Sequence, residues 1–495
     1  MQDIERMSHV DTSWLRMDND VNLMMIVGVW VLSPAISLQA LRRCIGSRLL
    51  RYPRFKHKVV MDALGPSWVT DEAFDLQHHV SSLRLPSSAG QSQRQALQHL
   101  CGDLAAQALD PDRPLWQFHL IEDYEGGAAV VARVHHCIGD GISLMSVMLG
   151  ITDEGPALLK QSLALARARC AAPEPGSAGA VSPQPHDPLP HGHQPPPPPP
   201  HPQLMLGGVA LARSGLQLVS DVAALALMPD DSPTLLKGLP AGRKAVAWSE
   251  PLALDEVKAV GKALGCTVND VLLACVAGAI GSYLASRGQD PSDREIRAMV
   301  PVNLRPPGEE AQLGNKFGLV PLVLPIGIAN PVERVFAVRQ RMDQLKHSYQ
   351  PLLAFAVLSV AGYFNKPVQD AVLSLFSSKA TAVMTNVPGP TQPLKICGST
   401  LRQTMFWVPA SGHIGVGVSV LSYAGGVQFS LMTDQALCPD PQDIVERFEP
   451  EFDKLTWLAL MLPWPGRDED PEQALVAQAL AQGVSRSTDL AQMLR

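Results

Sequence analysis

The sequence predicts an α/β (α+β) chain of at least two domains, and three observations carry that prediction. Its 495 residues exceed what one hydrophobic core usually supports. Short apolar, β-branched runs alternate with longer helical patterns on either side of the middle of the chain. Between them, residues 171–203 ("AAPEPGSAGAVSPQPHDPLPHGHQPPPPPPHPQ") contain six consecutive prolines, which favour extended polyproline II and build neither helix nor ladder. Read as an exposed linker, this segment separates an N-terminal domain, 1–170, from a C-terminal domain, 204–495. Its histidines, His186, His191, His193 and His201, have nothing around them in sequence that fixes a coordination geometry.

The elements follow in order. "AAVVARV" (Ala128 to Val134) reads as a buried strand and "ISLMSVMLGI" (Ile142 to Ile151) as a helix. After the linker, Leu204 to Met228 and Val268 to Arg287 read as helices, and "IRAMVPVNL" (Ile296 to Leu304) and "LVPLVLPI" (Leu319 to Ile326) as strands. In "HIGVGVSVLSYAGGVQFSLM", Ile414, Val416, Val418 and Val420 take one face while Gly415, Gly417 and Ser419 take the other. Gly425-Gly426 then supplies a turn before Val427, Phe429 and Leu431 alternate again, which predicts a hairpin. A face made only of Gly and Ser admits either a packed backbone or a slender ligand, so Gly415 and Gly417 are candidate substrate contacts.

Composition narrows the function. Forty Lys and Arg against 47 Asp and Glu give a net charge of −7 with no long basic run, so nucleic acid has no electrostatic footprint here. The eight cysteines are scattered without a CxxC pair, which argues against a zinc site and a disulfide framework and favours a reducing compartment. The acidic, polar N-terminus lacks the pattern of an export signal. The most apolar windows, Val21 to Leu32 and Leu204 to Met228, are too short or too interrupted for a spanning helix, which needs about 20 apolar residues. With 18% charged residues and a mean hydropathy of +0.06, a greasy substrate or a peripheral membrane contact is compatible. The expected location is cytoplasmic, with any membrane contact peripheral.

The stretch "VARVHHCIGDGISLM" (Val131 to Met145) places two histidines at a strand-to-helix corner. Successive strand residues face opposite ways, so one of His135 and His136 works and the other supports it. Asp140-Gly141 forms the turn into the helix, where a carboxylate can hold a partner. Spacing alone leaves catalysis, a structural histidine and a metal site open. His78-His79 lacks the following Asp-Gly and shows that a doubled histidine is not in itself a site.

"HHCIGDG" nevertheless fits the HHxxxDG motif of the coenzyme A-dependent acyltransferase superfamily. "MSHVDTSWLRMD" (Met7 to Asp18), "FDLQHHV" (Phe74 to Val80), "RPLWQFHLIE" (Arg113 to Glu122), "TVNDVLLACVAGAI" (Thr267 to Ile280), "PVNLRP" (Pro301 to Pro306), "LGNKFG" (Leu313 to Gly318) and "TNVPGP" (Thr385 to Pro390) occur in order and span nearly the whole chain outside the linker. Together they resemble bacterial wax ester synthase/acyl-CoA:diacylglycerol acyltransferases. The resemblance implies two chloramphenicol-acetyltransferase-like mixed-sheet domains with a tunnel between them. It implies transfer of a fatty acyl group from acyl-CoA, a substrate and not a cofactor, to diacylglycerol or a long-chain alcohol.

By motif position His136 is then the general base: a neutral imidazole takes the hydroxyl proton as the alcohol attacks the thioester, help worth about 10²- to 10⁴-fold. No acyl-enzyme, metal or cofactor is called for. His135 and Asp140 support the corner, with Arg305 the candidate partner of Asp140 because a buried carboxylate needs one. Thr267 and Asp270 fit a capping box, whereas Asn269 at that helix start is a candidate oxyanion or alcohol contact. Gly141 and Asn386 are candidate substrate contacts. Pro388-Gly389 suits the centre of a type II turn, and Trp116 reads as core. Two rivals remain at this stage: a condensation-type relative with another donor and acceptor, and a non-catalytic lipid-droplet scaffold.

Overall fold

The computed structural model describes residues 4–63, 65–86, 90–155, 157–158, 230–305, 313–346, 366, 374 and 377–462. The proline-rich linker and the helix expected over 204–228 lie outside the described residues. Two mixed sheets dominate. The first runs, edge to edge, through Lys395–Ile396, Ser399–Trp407, Met25–Ser33, Gly127–His135, Trp116–Tyr124 and Val80–Ser82. The second runs through Phe317–Leu324, Ile296–Asn303, Ala382–Pro388, Val416–Tyr423, Gly426–Asp434 and Lys244–Trp248, with Leu252–Ala253 also paired to Gly426–Asp434. A small third sheet joins Ile4–Arg6, Gly65–Thr70 and His57–Asp62.

Strand alternation builds the first sheet's two faces. Met25, Val27, Val29 and Val31 point to a cluster with Leu97, Cys101 and Leu104 of the helix Gln93–Ala105. Trp30 and Leu32 point the other way, into a cluster with Leu41 and Ile45 of the helix Leu38–Arg48 and Leu144, Val147 and Ile151 of the helix Gly141–Ile151. The second sheet packs on Val268–Ser286, a helix apolar all round and therefore buried. It is long and apolar enough to cross a membrane, but most of it lies inside this core. Its start is the capping box expected from "TVND": Asp270 N–H donates to Thr267 Oγ1 at 3.2 Å, and Thr267 N–H donates to Asp270 Oδ2 at 2.9 Å.

The division at the linker does not coincide with sheet membership. Residues 395–407, from the C-terminal part, complete the first sheet by pairing Ser399–Trp407 antiparallel to Met25–Ser33. The Gly/Ser face of the 416–423 strand explains how this exchange strand crosses the second sheet. A β-carbon on Gly417 would stand 3.3 Å from the Val408 carbonyl oxygen, and Ser430 Oγ donates to the Phe406 carbonyl at 3.5 Å. A side chain larger than serine there would push the exchange strand away.

Two expected turns differ in detail. The 416–434 hairpin turns at Ala424-Gly425, one residue earlier than expected, because both residues have positive φ, 47° and 82°, as a type I′ turn requires. Gly389 is not in the left-handed region, so Pro388-Gly389 is not the centre of a type II turn. Glycine is needed there for close approach: Gly389 N–H donates to the Ser422 carbonyl at 2.8 Å, and a β-carbon would overlap that oxygen.

Candidate active site

The strand Gly127–His135 ends at the doubled histidine, and the chain turns through Cys137–Asp140 into the helix Gly141–Ile151. His135 and His136 are buried, yet they enter different networks. His135 Nδ1 accepts the Cys137 N–H at 3.1 Å, and its Nε2 lies 3.4 Å from Asp18 Oδ1 without the alignment of a hydrogen bond. Burial opposes charge on this ring, but Cys137 and Asp18 outweigh it and raise its pKa. Because Nδ1 accepts a backbone proton, the ring's own proton lies on Nε2, facing Asp18.

His136 is held from three sides. Its N–H donates to the Met24 carbonyl at 2.7 Å. Trp14 stacks on its ring at 4.1 Å with the planes 12° apart, and Phe317 lies at 5.7 Å. Its Nδ1 is 2.9 Å from Asn315 Oδ1. The Asn315 amide cannot be flipped, because its Nδ2 faces two acceptors, Asp11 Oδ1 at 2.7 Å and the His136 carbonyl at 2.9 Å. Oδ1 must therefore accept from Nδ1–H, which leaves the Nε2 lone pair as the ring's basic atom. Burial pushes the imidazole well below the usual histidine range, opposed only in part by the Asp140 charge and the Asn315 bond. The ring is held neutral.

Asp140 is the expected anchor of the corner. Its Oδ1 accepts the Ser143 N–H at 3.0 Å and caps the helix; its Oδ2 accepts the Lys316 N–H at 3.0 Å and a bond from Arg305 Nη1. Arg305, the partner expected from "PVNLRP", also donates to the Gly314 carbonyl. Arg305 and Lys316 stand at the two ends of the connection between the antiparallel strands Ile296–Asn303 and Phe317–Leu324, where Leu304 N–H donates to Lys316 O at 3.1 Å. This arm of the second sheet thus reaches the motif of the first, and a bridge between Gly139 and Gly314 seals the contact.

An apolar cavity of about 920 Å³, counted to its open mouth, lies beside the corner. Its floor is Ile26, Gly28, Ala132 and Val134 of the first sheet, and its roof includes Gly141, Leu144, Met145 and Met148 of the helix. The exchange segment closes it with Leu394, Leu401, Thr404 and Phe406. Gly28 stands in register with Ala132 and Phe406, so two small residues side by side hollow out the floor.

The other sequence candidates distribute unevenly. Gly141 lines the cavity, and a β-carbon there would meet nothing within 4 Å. Asn269 and Asn386 meet each other, Asn386 Nδ2 donating to Asn269 Oδ1, and Val387 and Gly389 beside Asn386 line the cavity. Gly415 and Gly417 do not reach it. A β-carbon on Gly415 would overlap the Leu437 side chain, and one on Gly417 would stand 3.3 Å from the Val408 carbonyl, so both serve close packing around a separate, smaller cleft. His79 Nδ1–H donates to the Trp116 carbonyl at 2.8 Å, and the ring stacks on the core residue Trp116. Sequence reasoning gave no role to Asp11, Trp14, Asp18 or Asn315, although "MSHVDTSWLRMD" and "LGNKFG", the stretches that contain them, had already stood out.

Residues 7–272 match the wax ester synthase/diacylglycerol acyltransferase catalytic domain, and residues 313–456 match the WS/DGAT C-terminal domain. The chain belongs to the wax ester synthase/diacylglycerol acyltransferase family. It is an acyltransferase. Among proteins similar to this WS/DGAT chain is a probable diacylglycerol O-acyltransferase of Mycobacterium tuberculosis, 26% identical over 457 residues, which cover 90% of this chain and 94% of that one. A wax ester synthase/diacylglycerol acyltransferase from Marinobacter aquaeolei VT8 shares the fold with a TM-score of 0.61 at 21% identity, covering 92% of this chain and all of that one. The first condensation domain of the calcium-dependent antibiotic synthetase follows at 0.54 and 14% identity, over 92% and 96% of the two chains. Such matches establish the two-domain, mixed-sheet architecture that the motifs implied.

Proposed function

We propose that this protein transfers a fatty acyl group from acyl-CoA to the hydroxyl of diacylglycerol or a long-chain alcohol, with His136 as general base. The orientation of Asn315 carries the proposal, because it leaves His136 Nε2 unprotonated at the corner between the two elements that wall an apolar cavity. The hydroxyl proton passes to Nε2 as the alcohol oxygen attacks the thioester carbonyl. The new ester C–O bond forms as the C–S bond breaks, and the proton returns to the departing thiolate to give free CoA. His135 and Asp140 hold the corner, while Asn269 and Asn386, already paired at the edge of the cavity, supply amide groups for the substrate oxygens. The cavity takes the fatty chain: walls of Ile, Val, Leu and Met side chains favour hydrocarbon over water.

Both proposed acceptors, diacylglycerol and a long-chain alcohol, partition into lipid, so the protein is proposed to work at a membrane or lipid-inclusion surface. Trp457, Leu460 and Met461, exposed together at 64%, 59% and 75% on the helix Phe448–Met461, support that placement. The test of the function is release of free CoA from palmitoyl-CoA with hexadecanol or dioleoylglycerol. His136→Ala should lose about 10²- to 10⁴-fold in turnover while remaining folded. Silence of the wild-type protein with both acceptors would refute the activity, and near-normal rates in the variant would refute the base.

A further inference from the structure

We infer that Asp11 and Asn315 are positioning residues for the reaction, a buried carboxylate–amide pair that selects the tautomer of His136 and steadies the imidazolium it becomes. The inference rests on His136 being the base. Its geometry is a short chain from one end to the other: Asp11 Oδ1 accepts from Asn315 Nδ2 at 2.7 Å, and Asn315 Oδ1 accepts from His136 Nδ1 at 2.9 Å. Asn315 is also fixed through its main chain, whose N–H donates to the same Asp11 oxygen at 3.2 Å. All three side chains are buried, so no solvent competes for these bonds.

The parts come from separate elements. Asp11 sits in the first turn of the helix His9–Arg16, Asn315 on the arm from the second sheet, and His136 at the end of a first-sheet strand. An amide passes no proton, so the pair does not relay one. It acts by orientation and field: Asn315 Oδ1 accepts only from a protonated Nδ1, which makes Nε2 the basic atom. When Nε2 takes the hydroxyl proton, the ring becomes cationic, and the Asp11 carboxylate polarises the amide toward it. Ser8 caps the helix His9–Arg16 by accepting the Asp11 N–H at 3.1 Å, and its side chain also bonds the Asp11 carboxylate, which accepts from Asn315 as well.

Among the described residues, the charged and titratable groups around the ring are these. Asp140, paired with Arg305, lies on the corner; His135 and Cys137 flank His136 in the chain, with Asp18 behind His135; and Arg54 acts on Asp11 from the other side. Of these, only Asp11 reaches His136 through Asn315, so variants along this line can be read separately from the Asp140–Arg305 anchor.

The experiment measures kcat, KM and the pH profile of CoA release for the full chain and for Asn315→Leu, Asn315→Asp and Asp11→Asn, with palmitoyl-CoA and hexadecanol. Asn315→Leu removes the acceptor and should cost roughly 10- to 100-fold in kcat, the range for losing a group that orients a histidine, with KM nearly unchanged. Asn315→Asp keeps an acceptor for Nδ1–H but sets its second oxygen against Asp11 Oδ1 and the His136 carbonyl, so it should recover only part of the lost kcat, and only at pH values where the carboxyl pair at positions 11 and 315 holds a proton. Asp11→Asn removes the charge and keeps the shape; its acidic limb should move to lower pH as kcat falls. In the ¹⁵N spectrum the His136 ring should report a protonated Nδ1 in the wild type and a mixture of tautomers in Asn315→Leu.

A merely structural pair would lower thermal stability and leave the limb in place. Unshifted profiles with near-wild-type kcat in Asp11→Asn and in both Asn315 variants would overturn the inference. If His136→Ala is inactive while these variants behave as wild type, the base stands and the positioning role falls. If His136→Ala is itself active, both fall together.

Discussion

Replacing Asp140 by Asn and Arg305 by Met, singly and together, measures how strongly the two sheets are tied at the corner. Their side chains are 5% and 1% exposed, so neither charge can turn to water when the other is removed. Asp140→Asn keeps a side chain able to cap the helix at Ser143 but strands the guanidinium, a loss of about 3–5 kcal/mol for breaking a buried pair from one side. Arg305→Met strands the carboxylate, which retains the Ser143 and Lys316 N–H donors and the helix N-terminus, so its cost falls near the lower end, about 3 kcal/mol. With both charges gone the penalty for an isolated charge disappears, and the double variant should be more stable than the summed singles predict by about 2–3 kcal/mol. Equilibrium unfolding in urea, followed by tryptophan fluorescence, is a suitable assay because Trp14 stacks on His136 at this corner. Costs that add to within about 0.5 kcal/mol would show that the two residues do not act as a pair and would refute the reasoning.

Three further outcomes follow from the same geometry. Burial holds His136 unprotonated below the ordinary histidine pKa of about 6.5, so the acidic limb of kcat/KM should lie below that pH, with activity falling only as protons are finally taken up; a limb at or above it contradicts a buried neutral base. Gly141→Val points a side chain into open cavity without a clash, so the protein should fold normally while its rate with palmitoyl-CoA falls relative to octanoyl-CoA; an unchanged ratio removes the cavity from acyl selection. Gly417→Val should destabilise by about 1–3 kcal/mol in the same unfolding assay, because its β-carbon already stands 3.3 Å from the Val408 carbonyl at the end of the exchange strand and the γ-carbons crowd it further, and a stable variant would mean that the Gly/Ser face is not what admits this strand.

Much of the fold was legible because it rests on local pattern. The strand ending at His135, the helix after Asp140, the capping box at Thr267 and Asp270, and the 416–434 hairpin each follow from periodicity or from residues within one turn of each other. What escaped was set by distant chain. No local signal announces that residues 399–407 pair with residues 25–33, since alternation specifies a strand but not its partner. Gly415 and Gly417 stand away from the apolar cavity for that reason: the small face does admit close approach, but the Leu437 side chain stands against Gly415 and the Val408 carbonyl, just past the exchange strand, against Gly417. Asp11 and Asn315 were overlooked on similar grounds. A buried Asp in an amphipathic first turn and an Asn after Gly314 acquire meaning only when the arm brings them within hydrogen-bond distance of His136.

The arm also changes what the histidine motif can do by itself. Within 135–141 the sequence supplies the ring, the cap and the turn, but nothing that accepts from His136 Nδ1 and no cation for Asp140; both come from the connection between Ile296–Asn303 and Phe317–Leu324. That connection is placed by pairing within the second sheet, where Asn303 stands opposite Phe317, and Phe317 in turn packs on Trp14 and His136. The tautomer of His136 is therefore a property of the docked pair of sheets. A substitution that shifts the arm acts on the basicity of Nε2 through Asn315 even when it leaves every residue of the HHCIGDG motif in place.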